Sequence, residues 1–452
     1  MKLALKTRQK LEGTIFLGGI RMARITRWEP ENEQFWEAEG KRHATRNLWI
    51  SIPALLLAFA VWQIWSVTAA SLNDIGFNFT KSELFTLAAL PGLTGATLRI
   101  FYTFVVPIFG GRNWTIISTA SLLIPAIGIG IAVQNPETSF MTMAILAALC
   151  GLGGGNFASS MSNISFFYPK KAKGTALGLN AGIGNLGVSA VQFLAPLVVT
   201  IGIFGAVAGN PQVLSDGTQV WVQNAAFVWV IPIILTVIAA IFGMDNLPGT
   251  NASIKEQAVI FKNKHTWIMT WLYVMCFGSF IGYSAAFPLL IRTEFPEVNA
   301  LQFAFLGPLV GALIRPVGGW VSDKVGGAIV TFIDIIVMIA ATIGVIYFYN
   351  LGNFNGFLIM FLILFVTTGI ANGSTFRMIP YIFNNQKEAA AVIGWTSAIG
   401  AYGAFLIPKI FGWSIDTTGM ANTALYIFIV YYAISLVITW YFYSRKDAEV
   451  KC

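Results

Sequence analysis

Two arginines end two closely similar apolar segments, LPGLTGATLR from Leu90 to Arg99 and LGPLVGALIR from Leu306 to Arg315. A guanidinium is a permanent cation whose planar fork of N–H donors matches an oxyanion, so Arg99 and Arg315 could hold an anion between them. The segments agree at Leu90/Leu306, Leu93/Leu309, Gly95/Gly311, Ala96/Ala312 and Arg99/Arg315, a constant offset of 216 residues. Eleven residues after each arginine comes a Gly-Gly pair, Gly110-Gly111 and Gly326-Gly327, with Arg112 or Lys324 beside it, which marks a loop. Eleven residues of helix rise about 16 Å and a hydrocarbon core is about 30 Å thick, so both arginines are expected near a bilayer midplane. A guanidinium there is costly unless it faces a cavity or a partner. A structural salt bridge is the plainer alternative, but the apolar segments supply almost no acids. Two such arginines at equivalent places predict a central anion site.

Other polar and aromatic candidates cluster in glycine-rich stretches. Gly151 to Met161 and Gly178 to Gly187 carry small residues at helical spacing, which first of all means close helix packing. GLGGGN is not a nucleotide loop, since no strand precedes it and no Lys-Ser/Thr follows. Asn156 and Asn185 lie at membrane depth, where an amide needs partners and can donate two hydrogen bonds to an oxyanion. Asn372 is the counterpart of Asn156 at the same offset. Phe157 and Phe376 fall on the fourth and tenth apolar segments, and Phe277 lies one turn after Tyr273 on the seventh. With 36 phenylalanines in the chain, position alone would single out none of these rings.

The elements that must position these residues are membrane helices. Mean hydropathy is +0.70. Of the 452 residues 56% are hydrophobic and 11% charged, against roughly 25% charged in an ordinary soluble protein. Twelve apolar runs can be counted, beginning near residues 48, 84, 114, 138, 174, 223, 266, 299, 328, 355, 389 and 423. The net charge of +8 could suggest nucleic acid, but the cations follow loop parity. The N-terminal segment, Lys170-Lys171-Ala172-Lys173, Lys255 to Lys264 and Arg445-Lys446 fall on one side, so both termini are expected in the cytoplasm and nucleic acid is not expected as a partner. No cleavable signal precedes Asn47, because Thr14 to Ile20 runs into Arg21 and Arg24. Cys150, Cys276 and Cys452 are unclustered, and His43 and His265 lie at loop edges, so no disulfide framework, metal, haem or other cofactor is expected.

The repeat runs on without a gap: Thr115/Thr331, Ile127-Gly128/Ile343-Gly344, Asn156/Asn372, Ile183-Gly184/Ile399-Gly400 and Gly187/Gly403. A duplicated six-helix unit of unchanged topology follows, which is the organisation of the major facilitator superfamily. Gly318 to Gly327, GGWVSDKVGG, resembles that superfamily's motif after helix 8, where Asp323 could cap a helix; the first-half copy at Val106 to Arg112 lacks the acid. The expected division is an N-terminal arm at 1–45, six-helix bundles at 46–244 and 266–444, a linker at 245–265 and a tail at 445–452. The arm carries WEPENE from Trp28 to Glu33 and is expected to be partly helical and to lie on the membrane surface. For its first 20 residues, a start-site extension is an equal reading.

Residues 153–187, GGGNFASSMSNISFFYPKKAKGTALGLNAGIGNLG, resemble the nitrate signature of the nitrate/nitrite porter family within this superfamily, and Gly369 to Gly403 is a weaker second copy. Similarity extends to Trp28–Ser66, GFNFT at 76–80, VPIFGGR at 106–112 and GSFIGYSAAFPL at 278–289, and so covers nearly the whole chain. The resemblance implies an all-α protein of twelve transmembrane helices in two pseudo-symmetric six-helix bundles, a monomer in a bacterial inner membrane that exchanges nitrate for nitrite. It places the anion between Arg99 and Arg315, with Phe157 and either Phe277 or Phe376 sandwiching it and Asn185 and Tyr273 adding polar contacts. The connection at Asn384 to Glu388 is shorter than in some relatives.

Nitrate is planar, monovalent and weakly hydrated, which suits two guanidinium forks and aromatic faces; nitrite keeps the charge and should be accepted too. Arginine does not release its proton, and Asp334 is the one acid expected inside the helices, near a helix end. Exchange is therefore the expected mode. Nitrate/proton symport through Asp334, Lys409 or water near Tyr273 is the alternative, and an anion channel or a membrane-embedded receptor are more distant ones.

Overall fold

The computed structural model describes residues 14–17, 20–23, 25–248, 258–383 and 385–452. Among them, twelve helices are long and apolar enough to cross a membrane. They are α1 (Glu33–Ser71), α2 (Lys81–Tyr102), α3 (Gly111–Ala132), α4 (Phe140–Phe167), α5 (Lys170–Val199), α6 (Asn224–Gly243), α7 (Lys264–Glu294), α8 (Ala300–Val325), α9 (Gly327–Asn350), α10 (Phe354–Ile382), α11 (Glu388–Thr418) and α12 (Asn422–Ser444). Eleven of the expected starts fall within a few residues of these; α1 begins earlier because its first turns are polar. Local chemistry sets several starts. Thr80 and Glu83 close a capping box at α2, and Ser139, Asn263 and Asn353 cap α4, α7 and α10 with their side chains.

The packing repeats with the sequence. Within the first half α2 packs on α4, α1 on α5 and α3 on α6; in the second, α8 packs on α10, α7 on α11 and α9 on α12. Glycines permit the closest of these approaches. A Cβ on Gly154 would fall 2.7 Å from the Gly95 Cα, and one on Gly369 would fall 2.3 Å from the Gly311 carbonyl oxygen. These two contacts bring α4 against α2 and α10 against α8 beside Arg99 and Arg315.

Hydrogen bonds between the halves lie at the level of the arginines or nearer the α1–α2 connection. Gln192 donates to the Ser284 carbonyl (2.7 Å), Ser189 to the Phe305 carbonyl (3.1 Å), and Lys409 to the Thr86 hydroxyl (2.8 Å). Arg292 pairs with Asp74. Gly92 lies against the α11 backbone, where a Cβ would come 2.4 Å from the Ala404 carbonyl carbon. The site is thus sealed from the face of the α1–α2 connection. Among the described residues other than Asn385, no hydrogen bond joins the halves on the other side of the arginines.

At that other face the chain is tied down within each half. Asp245 follows α6 and accepts from Arg46 (2.7 Å) and Asn47 (2.9 Å), with the His43 ring nitrogen at 2.8 Å. Burial pushes the Asp245 carboxyl up, but these three partners outweigh it and hold the group below the usual carboxylate range. The Arg112 N–H at the start of α3 donates to Asn246 Oδ1, and the equivalent Ala328 N–H at the start of α9 donates to the Cys452 main-chain oxygen, each at 2.9 Å. Asp323 caps neither α9 nor any neighbour; it pairs with Arg377 on α10 instead, because Gly326 at positive φ already turns the chain into α9.

Residues 28–33 dock on the end of α4 and the start of α5. The Trp28 indole donates to the Phe166 carbonyl (2.9 Å), Glu31 accepts from the Lys170 N–H (3.0 Å), and Glu33 pairs with Lys171 (3.0 Å). Trp28 packs edge-on to Phe167, and Trp36 meets Tyr168. The indoles find apolar partners on the α4–α5 connection, and the acids meet its lysines. Ahead of it Thr14–Leu17 and Ile20–Ala23 pair as antiparallel strands. Residues 1–13, 18–19 and 24 of the arm, residues 249–257 of the linker and Asn384 of the short α10–α11 connection lie outside the described residues.

Candidate anion site

Arg99 projects from an unbroken stretch of α2 and is fully buried. Its Nε donates to the Gly154 carbonyl on α4 (3.0 Å), and Nη1 donates to the Ser397 carbonyl on α11 (3.1 Å). Three rings surround its Cζ: Phe157 at 4.9 Å, Trp62 at 5.2 Å and Phe277 at 5.5 Å. Its Nη2 is buried with no partner.

Arg315 sits at a break in α8. The helix pauses at Ile314 and restarts with Arg315 followed by Pro316, which has no N–H to continue the ladder. The Arg315 Cζ lies 4.1 Å from the Phe280 ring and 5.6 Å from that of Phe277, and both Nε and Nη2 are buried without partners. Among the described residues, no Asp or Glu pairs with either arginine. Two cations with spare, buried donors and no carboxylate are arranged to receive an anion, because nothing else present neutralises them.

Phe277 is the ring common to both guanidiniums. It lies in a π-helical turn of α7, Val274–Gly278, whose extra residue alters the register of the face that follows. Phe277 stacks on Tyr273 (5.5 Å, 24°), and Tyr273 stacks in turn on Phe376 (4.8 Å, 8°). Phe376 therefore stands behind Tyr273 and makes no cation contact, whereas Phe157 faces Arg99 directly. Asn372 donates to the Tyr273 hydroxyl (3.0 Å). Asn185 donates back to its own helix at Ala181 (2.7 Å), which leaves its Oδ1 buried and unpartnered, as is Oδ1 of Asn156. Sequence reasoning missed Trp62, Phe280 and the Gly154 and Ser397 carbonyls. Phe280 was within reach, being three residues past Phe277 on one helical face; a main-chain carbonyl carries no signal in residue type.

The Major Facilitator Superfamily model matches residues 47–408. The nitrate/nitrite transporter NarU of Escherichia coli K12 is 47% identical over 449 residues, covering 94% of this chain and 97% of that protein. The chain belongs to the nitrate/nitrite porter family of the major facilitator superfamily. Another relative, named "Probable nitrate/nitrite antiporter NarK2" of Thermus thermophilus, is 42% identical over 95% of this chain and 98% of its own length. Among solved structures, a D-xylose–proton symporter matches with a TM-score of 0.70 at 16% identity, covering 88% of this chain and 97% of that one. A bacterial homologue of the human lysosomal transporter Spinster gives 0.66 at 15% identity, covering 88% and 96%. At such identities the likeness is one of fold. This family member is a multi-pass membrane protein with the superfamily's twelve helices.

Proposed function

We propose that this protein exchanges nitrate for nitrite across a bacterial inner membrane by alternating access, binding one anion at a time between Arg99 and Arg315. The observation that carries the reading is the pair of buried guanidiniums, each with unsatisfied N–H groups, flanking Phe277 with no acid beside them. A planar monoanion fits: its oxygens meet the forks and its faces meet Phe157 and Phe277. Tyr273, oriented by Asn372, and the amides of Asn185 and Asn156 stand as polar contacts, with Phe376 supporting Tyr273. The moving units are the halves 46–244 and 266–444, and the positive-inside pattern puts the termini in the cytoplasm. The chain acts as a monomer in the lipid bilayer. Without an anion the two cations repel, which disfavours closure of an empty site; with one bound the halves can pass through the occluded state. That coupling is antiport.

Nitrate uptake into proteoliposomes loaded with nitrite or with chloride, with and without a proton gradient, tests this. Uptake that needs internal nitrite and ignores the gradient is expected. Gradient-driven uptake into chloride-loaded vesicles would instead support symport, a reading favoured only by Asp334, which is buried with one unpartnered oxygen on α9. Asp334 lies on α9, which packs on α8, α10 and α12, and among the described residues it makes no ion pair with either arginine.

A further inference from the structure

Lys409 lies on α11 within the membrane span, on the side that faces the other half. Its Nζ donates to the Thr86 hydroxyl of α2 at 2.8 Å, and among the described residues no carboxylate pairs with it. Twelve residues separate it from Ser397, the α11 residue that Arg99 touches, so it stands about 18 Å from the arginines towards the α1–α2 connection. Thr86 is thirteen residues from Arg99 on the antiparallel α2, a matching rise of about 20 Å. The other cation joining the halves at this face, Arg292, is neutralised by Asp74. The nearby Glu83 is occupied at the α2 cap, and Glu294 bonds Tyr349. The repeat gives no reason for a cation here, since the first-half equivalent of Lys409 is the exposed Phe193. A lysine that merely sent its ammonium to the membrane surface would not need to face the seam between the halves.

We infer that Lys409 is an outer waypoint for the transported monoanion, freed from Thr86 when α2 and α11 part and then presenting an unneutralised ammonium at the mouth of the path to Arg99 and Arg315. This rests on the exchange reading above. In the sealed conformation the hydroxyl holds the ammonium; in the opposite conformation the incoming oxyanion takes its place. The waypoint serves one face only, because α2 and α11 separate there.

The test measures the half-saturating nitrate concentration separately on each face of oriented proteoliposomes during nitrite exchange, for the unsubstituted protein, K409Q and K409R. K409Q is expected to raise the external value about fivefold, with the internal value and maximal rate within about twofold, and K409R to restore it. A tie that only stabilises the sealed state gives the opposite sign: losing it favours the outward conformation, lowers the external value and overturns the inference. No change, or an equal change on both faces, also overturns it. Should K409Q fail to assemble, K409M is read by the same outcomes. If the unsubstituted protein shows no nitrite-dependent uptake, the exchange reading itself fails and takes this inference with it; exchange without a one-sided effect removes the inference alone.

Discussion

Arg99 and Arg315 present the same chemistry in different settings, and substitutions should separate charge from shape. Lysine at either position keeps a cation but loses the fork, so R99K and R315K are each expected to lower kcat/KM for nitrate at least tenfold, the worth of about one charge-assisted hydrogen bond. Near-normal flux in both would sink the two-arginine site. Phe277 makes a cation–π contact with both guanidiniums, and F277A should raise the half-saturating nitrate concentration by about tenfold or more, whereas F280A should disturb the Arg315 side alone. Equilibrium nitrate binding to the purified variants reads this directly. Phe376 is expected to behave differently again: it touches Tyr273, so F376A should act on rate and on the Tyr273 contact more than on charge recognition.

At the scale of elements, the seal between α2 and α11 depends on a missing side chain. G92A puts a methyl into the Ala404 backbone, so the variant is expected to disfavour the sealed conformation and slow exchange severalfold, with greater labelling of cysteines introduced along α2 from the external side. Unchanged labelling would show that this contact is not part of the gate. The Asp245 cluster is a separate element-level device. A carboxylate held below its ordinary range stabilises the fold fully above its unfolded value near 4, and that contribution is lost as pH falls through the lower folded value. D245N should therefore cost about 1–3 kcal/mol at neutral pH, and the difference in melting temperature between it and the unsubstituted protein should shrink below about pH 4. Much of this level was legible beforehand. Hydropathy and capping residues locate the helices, because both are written in residue type, and the repeat offset picks out Arg99 and Arg315, which the structure brings to either side of Phe277. The π-turn that aims Phe277, the break before Pro316 and the docking of Trp28 on the α4–α5 connection were not legible. Each depends on which face meets a neighbour rather than on local composition.

For the molecule as a whole, the clasp of residues 25–33 on the α4–α5 connection joins the arm to the two helices that carry Phe157 and Asn185. W28A is expected to lower thermal stability in detergent while leaving the half-saturating nitrate concentration within about twofold; a large change in affinity would mean that the arm shapes the site itself. The bond from Arg99 to the Ser397 carbonyl has a different kind of consequence. Gly154 belongs to the same half as Arg99, so its bond travels with the arginine, but Ser397 belongs to the other. One N–H of the arginine is thus already engaged by an oxygen of the opposing bundle, while Nη2 has no partner. One guanidinium therefore both faces the anion through its free Nη2 and fastens the two bundles through Nη1, so parting α2 from α11 leaves a further donor of the same arginine for the cargo.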